Sequence, residues 1–107
     1  MVKAIAILKR RPDLTFQQFV DHWRNVHADL ALQIPGVVKY VQSPALQVPG
    51  SRSEPKADGI AEIWFENIET YRVGFKTPQA EALLADERNF LDLDKVIRTF
   101  VQEIDIV

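Results

Sequence analysis

Three segments of this 107-residue chain carry apolar side chains at odd and even positions alike, which restricts the fold more than any other feature. In residues 2–9, Ala4, Ala6 and Leu8 point one way while Ile5 and Ile7 point the other. In residues 59–66, Ile60 and Trp64 oppose Ala61, Ile63 and Phe65. In residues 95–106, Val96, Phe100, Ile104 and Ile106 oppose Ile97 and Val101. Successive side chains of a strand alternate between faces, so a sheet of these strands is apolar on both. An antiparallel sheet with one face in water shows polar residues there instead.

What lies between the strands decides how many faces the chain can cover itself. Thr15-Phe16-Gln17-Gln18 has the form of a capping box. From there to Gln33, Phe16, Phe19, Val20, Trp23, Leu30 and Ile34 recur at helical spacing, and Pro35-Gly36 stops the run. Residues 37–42 form a further strand. Residues 43–57 hold Pro44, Pro49, Gly50 and Pro55 and read as a long loop, either a lid or a plain hairpin tip. Asn67 caps a helix through Phe75, and Thr77-Pro78 starts another.

The order is β-α-β-β-α-β, the split arrangement of ferredoxin-like α+β domains: a four-stranded antiparallel sheet with helices on one face. The second face then stays bare. Exposed apolar area costs about 25 cal/mol per Å², and large bare patches are rare on monomers. A second copy of the chain is the expected cover, since twofold dimers are the commonest oligomers.

The length fits one domain spanning residues 1–107. A net charge of −2 gives no pull toward nucleic acid or anionic membrane, and Lys9-Arg10-Arg11 is too short to track a phosphate backbone. The chain has no cysteine, which excludes disulfides and thiolate chemistry. No apolar run approaches a membrane span or a secretory signal, so a cytoplasmic home is expected. The four glycines are dispersed and form no phosphate loop, and no serine sits in a nucleophile elbow.

Two histidines remain for chemistry. At about 100° per residue from Phe16, His27 falls near 20°, inside the apolar stripe, and His22 near 240°, on the polar side. His27 is therefore expected to face the sheet, either as a satisfied core residue or as a proton acceptor in a half-dry cavity. The pair diverges on an α-helix, so no metal site is expected. Tyr40 also points inward, where its hydroxyl needs a partner. Glu62 shares a face with Ile60 and Trp64 and reads as a member of an interface ion pair.

Four stretches together resemble the EthD-like family of the dimeric α/β-barrel group: Phe19-Val-Asp-His-Trp23-Arg-Asn-Val-His27-Ala-Asp-Leu30, Ile34-Pro-Gly36-Val-Val-Lys-Tyr40-Val-Gln42, Asp58-Gly-Ile-Ala-Glu-Ile-Trp-Phe65 and Asp86-Glu-Arg-Asn-Phe90-Leu-Asp92. The resemblance implies a homodimer with facing sheets and a pocket between sheet and helices in each subunit. It includes accessory proteins of ether-degrading oxidations, a methylmuconolactone methylisomerase, and decarboxylases or cyclases of aromatic polyketides. In the isomerase-like relatives, residues matching His27 and Tyr40 line the site, and no metal or organic cofactor is used. His22 departs from the family pattern.

Three functions are compatible with these residues. One is a cofactor-free isomerase, cyclase or decarboxylase on an apolar carbonyl-bearing or aromatic metabolite, with His27 as general acid/base, Tyr40 holding an oxygen, and Trp23, Trp64 and Phe65 walling the pocket. Another is a non-catalytic binding or accessory protein of an oxidative degradation pathway. The third is a cofactor-free monooxygenase.

Overall fold

The computed structural model describes residues 1–52 and 55–107. Its elements are β1 (Val2–Leu8), α1 (Phe16–His22), a π-helical turn (Trp23–His27), α2 (Ala28–Leu32), β2 (Val37–Pro44), β3 (Gly59–Phe65), α3 (Ile68–Gly74), α4 (Pro78–Asp86) and β4 (Ile97–Val101). The strands form one antiparallel sheet in the order β2-β3-β1-β4. Each βαβ unit therefore spans an intervening strand, which is the ferredoxin-like topology.

Local chemistry explains where the helices start. Thr15 Oγ1 accepts the Gln18 N–H at 3.1 Å, and Gln18 Oε1 accepts the Thr15 N–H at 2.9 Å, closing the capping box. Asn67 Oδ1 accepts the Thr70 N–H at 2.8 Å and so caps α3. Thr77 caps α4 through the Ala80 N–H, with Pro78 in the first turn. The turn from α2 into β2 passes through Gly36 at φ 88°, where a Cβ would also sit 2.5 Å from Thr70 Cγ2. Only glycine is comfortable there.

Three expectations need correction. The single helix expected through Gln33 is three segments, because the Ala28 N–H reaches back five residues to Trp23 O. The last strand ends at Val101 rather than running to residue 106. Ser43 and Pro44, assigned to the long loop, extend β2, and Ala45 N–H still donates to Asp58 O at 3.0 Å. The remainder of that loop includes Ser53 and Glu54, which lie outside the described residues.

The register sorts the two sheet faces. Ala4, Ala6 and Leu8 lie opposite Ile63, Ala61 and Gly59, and with Tyr40, Arg98 and Phe100 they belong to the helix-covered face. Lys3, Ile5 and Ile7, facing Trp64, Glu62 and Ile60, belong to the other face. On this second face Ile60 is 40% exposed and Ile97 60%. The core under the helices is split. Leu8, Phe19, Val20, Trp23, Phe90 and Leu91 form one cluster; Ala31, Ile34, Ile63, Phe65, Ala80 and Leu83 form another. Small domains usually have one contiguous core.

Candidate functional site

Short side chains keep the two clusters apart. Ala6 pairs with Ala61 across β1 and β3, and Ala4 lies beside them, so three neighbouring positions under the helices carry only a methyl group. Above them lies a cavity of about 240 Å³. Its walls include Trp23, His27, Tyr40, Ile63, Tyr71, Phe75, Leu83 and Phe100, with Glu87 and Arg98 among the lining residues. An apolar cavity of about 150 Å³ already admits benzene, so this one has room for a substituted single ring.

His27 reaches the cavity because α2 packs on α4, which brings the end of the π turn beside the end of α4. Its Nδ1 lies 2.9 Å from Asp86 Oδ2. The same carboxylate receives His22 Nε2 at 2.9 and 3.0 Å and Asn89 Nδ2 at 3.0 Å. Burial pushes the Asp86 carboxyl toward the neutral acid, but the hydrogen bonds from Asn89, His27 and His22 outweigh it and hold the group below its ordinary value. An ionised carboxylate only accepts. Nδ1 of His27 therefore carries the proton, and in the neutral ring the lone pair is on Nε2.

The imidazole is neutral near pH 7. Burial lowers its affinity for a second proton below the ordinary 6.5, and the opposing pull of Asp86 does not recover it. Phe90 packs against the ring with centroids 4.7 Å apart. Tyr40, on β2, accepts a hydrogen bond from Gln42 Nε2 at 3.0 Å, and Gln42 also donates to Trp23 O at 2.8 Å. Burial raises the Tyr40 phenol, with Gln42 and Trp23 opposing, so the hydroxyl keeps its proton.

The structure places His27, Tyr40 and Trp23 around one cavity. It separates the other two candidates from the cavity. Trp64 is on the opposite sheet face, where its indole donates to Glu103 Oε1 at 2.7 Å and the Lys3 and Lys39 ammonium groups lie 4.9 and 4.8 Å from its ring. Phe65 is fully buried behind the wall, edge-on to Tyr71 at 5.4 Å and Phe75 at 6.0 Å. Adjacent strand residues point to opposite faces, so the two could not both line one pocket.

His22 is a second correction: it turns inward onto Asp86 rather than outward to solvent. The π turn carries residues five apart onto one face, which removes the reason given for their divergence. Among the described residues, no group of three His, Cys, Asp or Glu is arranged to hold a metal ion. Glu62 pairs with Lys3 of its own chain at 2.7 Å. Sequence reasoning missed Asp86, which sits in the resembling segment Asp86–Asp92 and shares the helical i,i+3 spacing with Asn89. Tyr71 and Phe75 were also missed, because they belong to a helix whose facing strands were not yet known.

A split βαβ sheet with a hollow under its helices and a buried histidine–carboxylate pair defines a ferredoxin-like domain with an internal pocket. The chain belongs to the EthD family, whose domain matches residues 11–94. It is similar to a solved ethyl tert-butyl ether d (EthD) family protein of Bacillus halodurans, at 25% identity, TM-score 0.81, and coverage of 97% of this chain and 99% of that one. An EthD-like protein of Ralstonia eutropha superposes with TM-score 0.75 at 11% identity, over 99% and 94% of the two chains. A dimeric ferredoxin-like protein of unknown function from Thermobifida fusca gives 0.73 at 16% identity, over 95% and 90%. No curated protein matches the chain significantly. Among the described residues no helix is long and apolar enough to cross a membrane.

Proposed function

We propose that this chain is a cofactor-free enzyme that binds a small apolar or aromatic, oxygen-bearing molecule in the cavity and moves a proton on it through His27. The observation that carries this reading is the His27 ring: anchored on Asp86 through Nδ1, it offers its basic Nε2, which has no hydrogen-bond partner among the described residues, in a cavity walled mainly by apolar and aromatic side chains. An imidazole that burial keeps neutral at pH 7 has a free lone pair with which to take a proton. Nε2 takes a proton from an acidic C–H or O–H of the guest, and the bond's electron pair moves onto the guest's oxygen, which the Tyr40 hydroxyl holds. Return of that proton to another atom completes an isomerisation, a cyclisation or the protonation that follows decarboxylation. Proton transfer of this kind asks for no metal or organic cofactor.

The working unit in this proposal is a homodimer. Ile5, Ile7, Ile60, Ile97 and Val101 share the face that the helices leave uncovered, and the Thermobifida fusca relative is described as dimeric.

The test is a screen of single-ring phenols and ketones for binding by thermal shift, followed by turnover of the binders in wild type and His27→Gln. Loss of turnover with affinity kept supports His27 as the acid/base. Unchanged turnover removes it from the mechanism. Binding without turnover in wild type points instead to an accessory role in holding an apolar metabolite.

A further inference from the structure

The cavity opens toward one edge of the sheet. The lining residues that solvent reaches most, Leu84, Arg98 and Thr99, belong to α4 and to β4, which is an edge strand. Along that edge the chain presents Val96, Arg98 and Phe100 to the helix layer, alternate residues as strand geometry requires. At one end Val96 packs on the cluster of Leu8, Phe19 and Phe90. At the other, Phe100 meets Tyr71 edge-on with ring centroids 4.1 Å apart. Both ends are closed by apolar contact.

Between these seals the contact across the gap is polar. Arg98 stands beside Ala6, at the floor of the hollow, and its Nη2 donates to Glu87 Oε2 at 2.6 Å. Glu87 follows α4 in a 3₁₀ turn, so the pair ties the edge strand to the helix layer. The two partners are unequally held: the Glu87 side chain is 11% exposed and that of Arg98 49%. Glu87 is the fixed post, and the guanidinium already stands half in water. An ion pair of this exposure contributes little to stability, whereas parting Phe100 from Tyr71 would bare apolar area. Of the three contacts along the edge, the middle one is the easiest to break.

We propose that the Arg98–Glu87 pair is a latch across the cavity's mouth: a guest enters and leaves when the guanidinium swings into solvent, and the pair re-forms behind it. This rests on the reading of the cavity as a guest site and adds the route by which it fills. No strand or helix has to move, since the side chain alone spans the gap. Closures of this kind set the rate at which a site fills and empties, and they keep water out while it is full. The latch is shut over the empty and the filled cavity alike. It therefore slows exchange in both directions and leaves the affinity nearly unchanged.

The experiment follows 4-fluorophenol, a single-ring probe, as it exchanges with the whole chain. Relaxation dispersion of its ¹⁹F signal gives the binding and release rates and their ratio. Glu87→Gln combined with Arg98→Met removes both charges at nearly constant volume. Both rates are expected to rise about fivefold, the upper end of what an exposed ion pair contributes, with Kd shifted by less than about twofold. Should the double variant not fold, potassium chloride raised from about 20 mM to about 1 M, which screens the pair, takes its place in wild type: both rates rise, or the latch is overturned. Rates that hold in the folded double variant also overturn it, and so does a change in release alone with Kd following; the cavity reading stands in each case. If 4-fluorophenol does not bind wild type at all, the cavity reading falls and the latch with it.

Discussion

His27 Nδ1 and Asp86 Oδ2 lie 2.9 Å apart although 59 positions separate them in the chain. That contact selects the ring's tautomer, fixes its plane and leaves its other nitrogen for a guest. In the proposed mechanism such a carboxylate positions the base without touching a substrate.

Replacing Asp86 with Asn keeps the shape and removes the charge. The amide can turn its N–H₂ to one histidine and its oxygen to the other, but it cannot accept from His22, His27 and Asn89 together. The folded state is expected to lose about 1.5–3 kcal/mol, the scale of hydrogen bonds to charged groups, by chemical denaturation. In ¹⁵N spectra, the His27 ring should no longer show a single Nδ1–H tautomer. An unchanged tautomer in Asp86→Asn would mean that something else orients the ring.

Stability should fall on acidification in two separate windows. Burial lowers His27 below 6.5 in the fold, so between 6.5 and its lower folded value the unfolded chain binds a proton that the native chain refuses. Stability therefore rises with pH in that window and is level with respect to this group above it. Asp86 is lowered from 3.8, and its contribution, present above that value, disappears as pH drops through its folded value. Denaturation midpoints from pH 8 to pH 4 measure the first window, and His27→Gln should flatten it.

The same lowering sets the acid side of any pH–rate profile. A base that stays neutral below pH 6.5 keeps working there, so the acidic limb of turnover should fall below 6.5 rather than on it. A limb above 6.5 would assign the titrating base to another group.

Filling the hollow should separate binding from folding. Ala61→Leu places three more carbons where β1 and β3 present only methyl groups. Because they enter existing space and not packed core, the melting temperature is expected to hold or rise, unlike the usual penalty for overpacking. Binding of toluene and phenol should vanish, read as the loss of their thermal shift.

Charge on the uncovered sheet face should dissociate the proposed dimer. Ile60→Asp combined with Ile97→Asp puts two carboxylates into an apolar contact, and unpaired buried charge is not tolerated there. Wild type is expected to sediment at twice the 12.2 kDa chain mass and the double variant at the chain mass. A wild-type protein that sediments as a single chain at micromolar concentration would refute the dimer.

Much of the fold was legible because the signals are local. The Thr15–Gln18 box, the Asn67 and Thr77 caps and the alternation in β1 and β3 each depend on residues a few positions apart. His27, Tyr40 and Trp23 could be read as inward-facing from period alone. The rest of the site depends on two things that period does not encode. Asp86 meets His27 only after α2 and α4 pack, and the orientation of His22 depends on an extra residue in one helical turn, which a fixed 100° step places on the wrong side. Trp64 and Phe65 miss the cavity for different reasons: strand alternation turns Trp64 to the opposite face, while Phe65, on the cavity side, is sealed behind Tyr71 and Phe75.

That extra residue has a consequence for how the site can be altered. Wound as an ordinary α-helix with every residue kept, Trp23–His27 would rotate everything upstream relative to everything downstream. His22 and His27, about 140° apart on such a helix, would then stop sharing a counter-ion, whereas removing one residue between them would set them four apart and on one face again. Whether this helix carries one imidazole on Asp86 or two is therefore decided by how the backbone winds and not by which residues it contains.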